Sequence, residues 1–141
     1  MARVERTVPI NATPRRVWET LADVEGWPAW ASYMKSLKRQ DGGALRLGSQ
    51  VRVTPKGIPG SVWIVTEYDP PRSYTWTTRP VPGLHREGGH VVEARGDGAT
   101  ATFSLASTGP LGALLSPLLG IVFRRNTRLA AEGLKRHCEG R

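Results

Sequence analysis

Through most of this chain apolar and polar residues alternate every second position, and only near the start and at the end does the spacing change to every third or fourth. Residues 4–10 alternate and include Val4, Thr7 and Val8, which predicts a first strand ending at Pro9-Ile10-Asn11. Thr13-Pro14 then supplies an N-cap and a proline at the first helical position. A short helix follows over residues 15–22, with Val17, Trp18 and Leu21 on its apolar face. Asp23 suits the cap of a second short helix, which Pro28 breaks or restarts within Glu25-Gly26-Trp27-Pro28-Ala29-Trp30.

After Met34 the period becomes that of strands. Alternation predicts strands over residues 35–39, 49–55, 61–68, 74–79, 84–94 and 100–108. Between them stand Asp41-Gly42-Gly43, Lys56-Gly57-Ile58-Pro59-Gly60, Asp69-Pro70-Pro71, Pro80-Val81-Pro82-Gly83 and Gly96-Asp97-Gly98, each able to reverse the chain. Strands joined by turns with no helix between them imply an antiparallel meander.

The helical period returns over residues 116–137. Ser116 is placed to cap this helix and Pro117 to open it, with Leu118, Val122, Leu129 and Gly133 on one stripe. Arg124, Arg128, Glu132 and Lys135 lie mostly away from that stripe, and Asn126 interrupts it. The apolar run at 111–123 is too short to span a bilayer and reads as the buried start of the helix. The whole is an α+β fold: a curved antiparallel sheet of about seven strands around a long C-terminal helix, with two short helices after the first strand. Residues 1–141 suit a single ligand-binding domain without linker or repeat. One helix cannot fill the concave side of so curved a sheet, so a cavity between them is a geometric expectation.

Composition sharpens this in few places. Sixteen glycines and 11 prolines sit between apolar runs as punctuation, and five tryptophans suggest a large core or a lined cavity. A net charge of +8 favours anionic partners in general, but no basic run or aromatic-basic signature points to nucleic acid. Cys138 is the only cysteine, which excludes a disulfide framework and fits a reducing cytoplasm. The charged start Met1-Ala2-Arg3-Val4-Glu5-Arg6 does not read as a signal peptide.

Several segments stand in the order found in one known superfamily. Val8-Pro9-Ile10-Asn11-Ala12-Thr13-Pro14-Arg15-Arg16-Val17-Trp18 is similar to its strand-to-helix junction, and Trp27-Pro28-Ala29-Trp30 to its second short helix. Val65-Thr66-Glu67-Tyr68-Asp69-Pro70-Pro71-Arg72 is similar to its mid-sheet hairpin. Gly96-Asp97-Gly98-Ala99-Thr100 resembles its last hairpin, followed by Gly109-Pro110-Leu111 before the final helix. Over nearly its whole length the chain thus resembles the START-like helix-grip superfamily, in particular the bacterial polyketide cyclase/dehydrase and lipid-transport group. That resemblance implies a helix-grip fold and a ligand cavity. It names no catalytic residues, because members bind, carry or transform very different ligands.

Candidate chemistry is sparse. His85 and His90 would face opposite sides of a strand, and no spacing builds a metal site. His137 suits the C-terminal end of the last helix, and Cys138 has no setting that would activate a thiol. No phosphate loop or nucleophile elbow is present, and no cofactor is implied. Strand parity puts Tyr74, Trp76 and Thr78 on one face, Trp63 and Val65 on one face, and Phe103, Leu105 and Ser107 on one face. With Trp30, Val122 and Asn126, these residues either line a cavity or simply pack against the helix. His85 and Glu87 share one side of their strand, Arg86, His90 and Val92 the other. His85, His90, Glu87 and Tyr33 are the weak candidates for acid–base chemistry. Tyr33 and Trp30 could also close the cavity mouth.

The leading expectation is a cytoplasmic carrier, sequestering protein or sensor for a small hydrophobic ligand (lipid-like, polyketide or aromatic), monomeric or homodimeric. The alternative is a polyketide aromatase/cyclase or dehydratase using the same cavity. A third reading has the basic exterior and residues 111–123 making a transient membrane contact or docking a partner's apolar segment.

Overall fold

The computed structural model describes residues 2–42 and 44–140. Strand β1 (Ala2–Ile10) leads into helix α1 (Pro14–Ala22) and a 3-10 helix (Val24–Ala29). Then come β2 (Met34–Arg39), β3 (Gln50–Pro55), β4 (Ser61–Asp69), β5 (Ser73–Val81), β6 (Leu84–Arg95) and β7 (Gly98–Thr108). Helices α2 (Pro110–Leu114) and α3 (Ser116–Cys138) end the fold. The strands form one seven-stranded sheet in the order β1-β7-β6-β5-β4-β3-β2, and every pairing is antiparallel. This is the helix-grip arrangement that alternation and turn chemistry led one to expect.

The hairpins turn where glycine permits it: Gly83 (φ 83) joins β5 to β6 and Gly96 (φ 57) joins β6 to β7. A register shift between Val65 and Glu67 bends β4, so that Val65 and Tyr68 both turn towards the core. Thr13 Oγ1 accepts from Arg16 N–H at 3.2 Å, and Pro14 stands at the first position of α1. At the other end, the orphan carbonyl of Leu21 accepts from Tyr74 Oη at 2.8 Å and Trp27 Nε1 at 3.0 Å. Those two bonds tie α1 to the sheet and to the 3-10 helix.

Three expectations for the C-terminal region are corrected. The cap of α3 is Leu115, with no side-chain cap bond, and Ser116 is already helical. The 111–123 run is not a buried helix start. It divides between α2, a helix that the apolar pattern did not separate, and the first turns of α3, leaving Leu114 75%, Leu118 60% and Ile121 60% exposed. Of the expected stripe only Gly133 is buried, and the buried face runs through Phe123, Thr127, Ala130, Ala131, Gly133, Leu134 and Cys138. Small residues occupy this stripe because the helix comes close to its neighbours. At Gly133 a Cβ would collide with the Trp30 carbonyl, so glycine lets α3 seat against the end of the 3-10 helix.

Helix α3 packs on β1, β7, α1 and α2. It therefore lies towards one edge of the concave face rather than over its middle. The aromatic side chains of β4, β5 and β6 fill part of the space that remains.

Candidate functional site

What they leave is a cavity of about 90 Å³ between the first half of α3 and the concave face. Val53 and Pro55 of β3, Trp63 of β4, Trp76 of β5, His90 of β6 and Phe103 and Leu105 of β7 line it from the sheet. Val122, Asn126, Thr127 and Ala130 line it from α3, and Trp27, Tyr33 and Met34 from the segment before β2. Ile58 and Pro59, in the β3–β4 loop, stand at its mouth, and Ile58 is 52% exposed. The volume suits roughly three waters, below the roughly 300–1,000 Å³ of a fully open ligand pocket. Any larger occupant must displace the mouth.

The lining is chiefly a connected set of rings. Trp63 and Trp76 lie 5.8 Å apart between centroids, Trp27 and Trp76 5.3 Å, and Trp27 and His90 5.4 Å. The indole of Trp76 has room because residue 88 is glycine: a Cβ there would come within 2.8 Å of Nε1. Neither Trp63 nor Trp76 gives its indole N–H a partner among the described residues, although buried indoles usually find one.

His90 is the most enclosed titratable group of the lining, 4% exposed. Its ring stacks on Tyr74 with 4.3 Å between centroids, and Nδ1 lies 3.1 Å from the Tyr74 carbonyl. A carbonyl can only accept, so Nδ1 carries the proton and Nε2 keeps its lone pair. Burial pushes the imidazole pKa down to about 4, opposed by the bond to Tyr74, and the ring is neutral at pH 7. Burial also raises the Tyr33 phenol above its ordinary range, so it stays a hydroxyl, without a hydrogen-bond partner among the described residues.

Arg86 of β6 reaches the same cavity. Its guanidinium carbon lies 5.4 Å from the centre of the Phe123 ring, and its buried Nε has no partner. Burial lowers the guanidinium pKa from its ordinary value. Nothing in the residue type announced this contact. Its parity with His90 on β6 was the available signal, and it is one of the lining residues that sequence reasoning passed over as binding candidates, with Trp27, Met34, Val53 and Thr127 among the others.

Of the residues singled out as binding candidates, the fold gathers Trp63, Trp76, Phe103, Leu105, Val122 and Asn126 around the cavity. Val65, Tyr74, Thr78 and Trp30 are buried nearby but do not line it. Tyr74 spends its hydroxyl on Leu21, and Thr78 Oγ1 donates to the Val62 carbonyl at 2.8 Å. Trp30 lies against Trp27, with 5.0 Å between centroids. Among the acid–base candidates, Tyr33 and His90 meet at the cavity while His85 and Glu87 do not. Glu87 is exposed, and His85 accepts at Nδ1 from Arg79 Nε at 3.3 Å. A wider depression of about 590 Å³ around Arg79, Pro82, His85 and Gly109 is an open surface hollow and collects no buried polar group.

No helix among the described residues is long and apolar enough to cross a membrane. The family model for polyketide cyclase / dehydrase and lipid transport matches residues 1–139. None of the curated proteins compared matches the chain. Among solved structures, a hypothetical protein from Helicobacter pylori superposes with a TM-score of 0.79 at 15% identity, covering 97% of this chain and 86% of its own. A START superfamily protein from Mycobacterium smegmatis gives 0.74 at 18% identity, covering 99% of each chain. An aromatase/cyclase from Streptomyces sp. R1128 gives 0.74 at 20%, covering 97% of this chain and 93% of its own. At such identities the likeness is one of fold.

Proposed function

The chain belongs to the polyketide cyclase/dehydrase and lipid-transport family, and from that premise we propose that it binds a small hydrophobic ligand between α3 and the sheet, as a carrier, sequestering protein or sensor. The observation that carries this reading is the cavity wall itself. Trp63, Trp76 and Phe103 supply apolar surface, while the Trp76 indole N–H, the Tyr33 hydroxyl and His90 Nε2 have no protein partner. All three keep some accessible surface, so they present hydrogen-bonding capacity to whatever fills the cavity. A ligand supplies the missing partners. Because the cavity is small as it stands, binding includes outward movement of Ile58 and Pro59. A cytoplasmic setting belongs to the same proposal, supported by the single free and buried Cys138.

Native mass spectrometry of freshly purified protein tests this. The expected spectrum carries a non-covalent adduct of a small apolar molecule, removed by organic extraction and restored by adding octan-1-ol. Bare protein in every spectrum, before and after octan-1-ol, contradicts the reading.

A second reading, ring closure or dehydration of a reactive ketide chain, is favoured by one fact: His90 and Tyr33 line the same cavity. In it Nε2 takes a proton from a carbon between two carbonyls, and the Tyr33 hydroxyl donates to the carbonyl under attack. An imidazole with a pKa of about 4 is a poor base at pH 7. That weakness puts the binding reading first. Loss of turnover of a diketide thioester in His90→Gln, with binding retained, would reverse the order.

A further inference from the structure

Arginine is the residue least expected on the wall of an apolar cavity. Arg86 is half-buried on the concave side of β6, in register with Thr78 of β5 and Ser107 of β7, both of which are buried. Its register positions point it inwards with His90, and it lines the cavity. Buried charges are ordinarily paired. Arg86 has no carboxylate within ion-pair distance among the described residues, and its neighbour Glu87 lies exposed on the opposite face of the strand. What it does touch is the Phe123 ring, which covers a face of the guanidinium and cannot satisfy the N–H groups in its plane. Directly across on β7, the Ser107 hydroxyl is also buried without a partner. Two unpaired polar groups thus stand side by side on neighbouring strands, Arg86 on the cavity wall and Ser107 outside it.

We propose that Arg86 is the head-group anchor of the cavity, and that the ligand is an amphipathic carboxylate whose apolar part lies on Trp63, Trp76 and Phe103. This rests on the reading of the cavity as a ligand site and adds the charge of the ligand to it. A carboxylate fits the planar guanidinium, supplies the missing countercharge, and is drawn to a chain of net charge +8.

The test pairs octanoate with octan-1-ol, alike in chain and different in charge, titrated calorimetrically at pH 7 into the protein, Arg86→Gln and Arg86→Lys. The protein is expected to bind octanoate at least about 10-fold more tightly than the alcohol. Arg86→Gln should lose about 10–100-fold for the acid while affinity for the alcohol stays within about 3-fold. Arg86→Lys should retain part of the preference, and together with the unsubstituted protein it decides the matter if Arg86→Gln does not fold. Equal binding of acid and alcohol overturns the anchor and leaves the cavity reading standing. An acid preference that survives in Arg86→Gln also overturns it. Binding of neither compound overturns the cavity reading, and the anchor with it.

Discussion

The concave face has two halves that differ in how completely they are finished. At the end against α1 and the second half of α3, Val17, Leu21, Val24, Tyr74 and Leu134 are at most 1% exposed. The polar atoms there are paired: Tyr74 and Trp27 both donate to the Leu21 carbonyl, and Arg16 Nε donates to the Cys138 carbonyl at 2.9 Å. At the end against the first half of α3, the Arg86 and Ser107 side chains are short of partners, Leu118 and Ile121 face outwards, and the cavity opens. One helix serves both halves. The difference teaches that stability is concentrated at one end, while the other keeps the unpaired groups and free space that binding requires.

The largest test of this division compares the two halves of α3. Leu134→Ala should cost about 2–5 kcal/mol in urea unfolding, and Leu118→Ala about 0.5 kcal/mol or less. Similar costs would erase the distinction. A smaller effect comes from His90, whose pKa of about 4 in the folded chain lies below the 6.5 of the unfolded one. Between those values the unfolded chain holds a proton that the native one does not, so stability falls as pH drops through 6.5 towards 4 and is unaffected above. The expected loss from His90 is about 2 kcal/mol between pH 7 and pH 5, read as the difference between the protein and His90→Phe, in which this part of the slope is absent.

Removing one hydroxyl from each half gives a finer comparison. Tyr74→Phe should cost about 1 kcal/mol, since its hydroxyl bonds to Leu21, whereas Tyr33→Phe should leave the melting temperature nearly unchanged. The smallest effect has the opposite sign. Arg86→Met should match or slightly exceed the stability of the unsubstituted protein, because it removes a desolvated charge and keeps apolar surface against Phe123. A clear drop in melting temperature would make Arg86 a packing residue.

Much of this was legible in alternation. Strand parity placed Trp63, Trp76 and Phe103 on one side of the sheet, and it separated His90 from His85 and Glu87. The helix was harder to read. Large apolar residues attract attention, yet Leu114, Leu118 and Ile121 lie outside, while the buried stripe is built of Thr127, Ala130, Ala131 and Gly133, whose value is closeness rather than hydrophobicity. Nor could spacing tell that Tyr74 and Thr78 would use their hydroxyls within the protein while Tyr33 would not. Those outcomes depend on carbonyls at Leu21 and Val62 that only the folded chain brings near. Parity already put Arg86 on the side of His90 and Val92, and the fold turns that side inwards, against the usual habit of charged side chains.

Indole N–H resonances offer the most direct test that the open half binds and the closed half does not. During titration with octan-1-ol, the ¹⁵N-resolved signals of Trp63 and Trp76 should move progressively, because their rings line the cavity. Those of Trp18 and Trp30, buried outside it, should stay in place. Stationary signals for Trp63 and Trp76, or equal movement of Trp18 and Trp30, would contradict the placement of the ligand site.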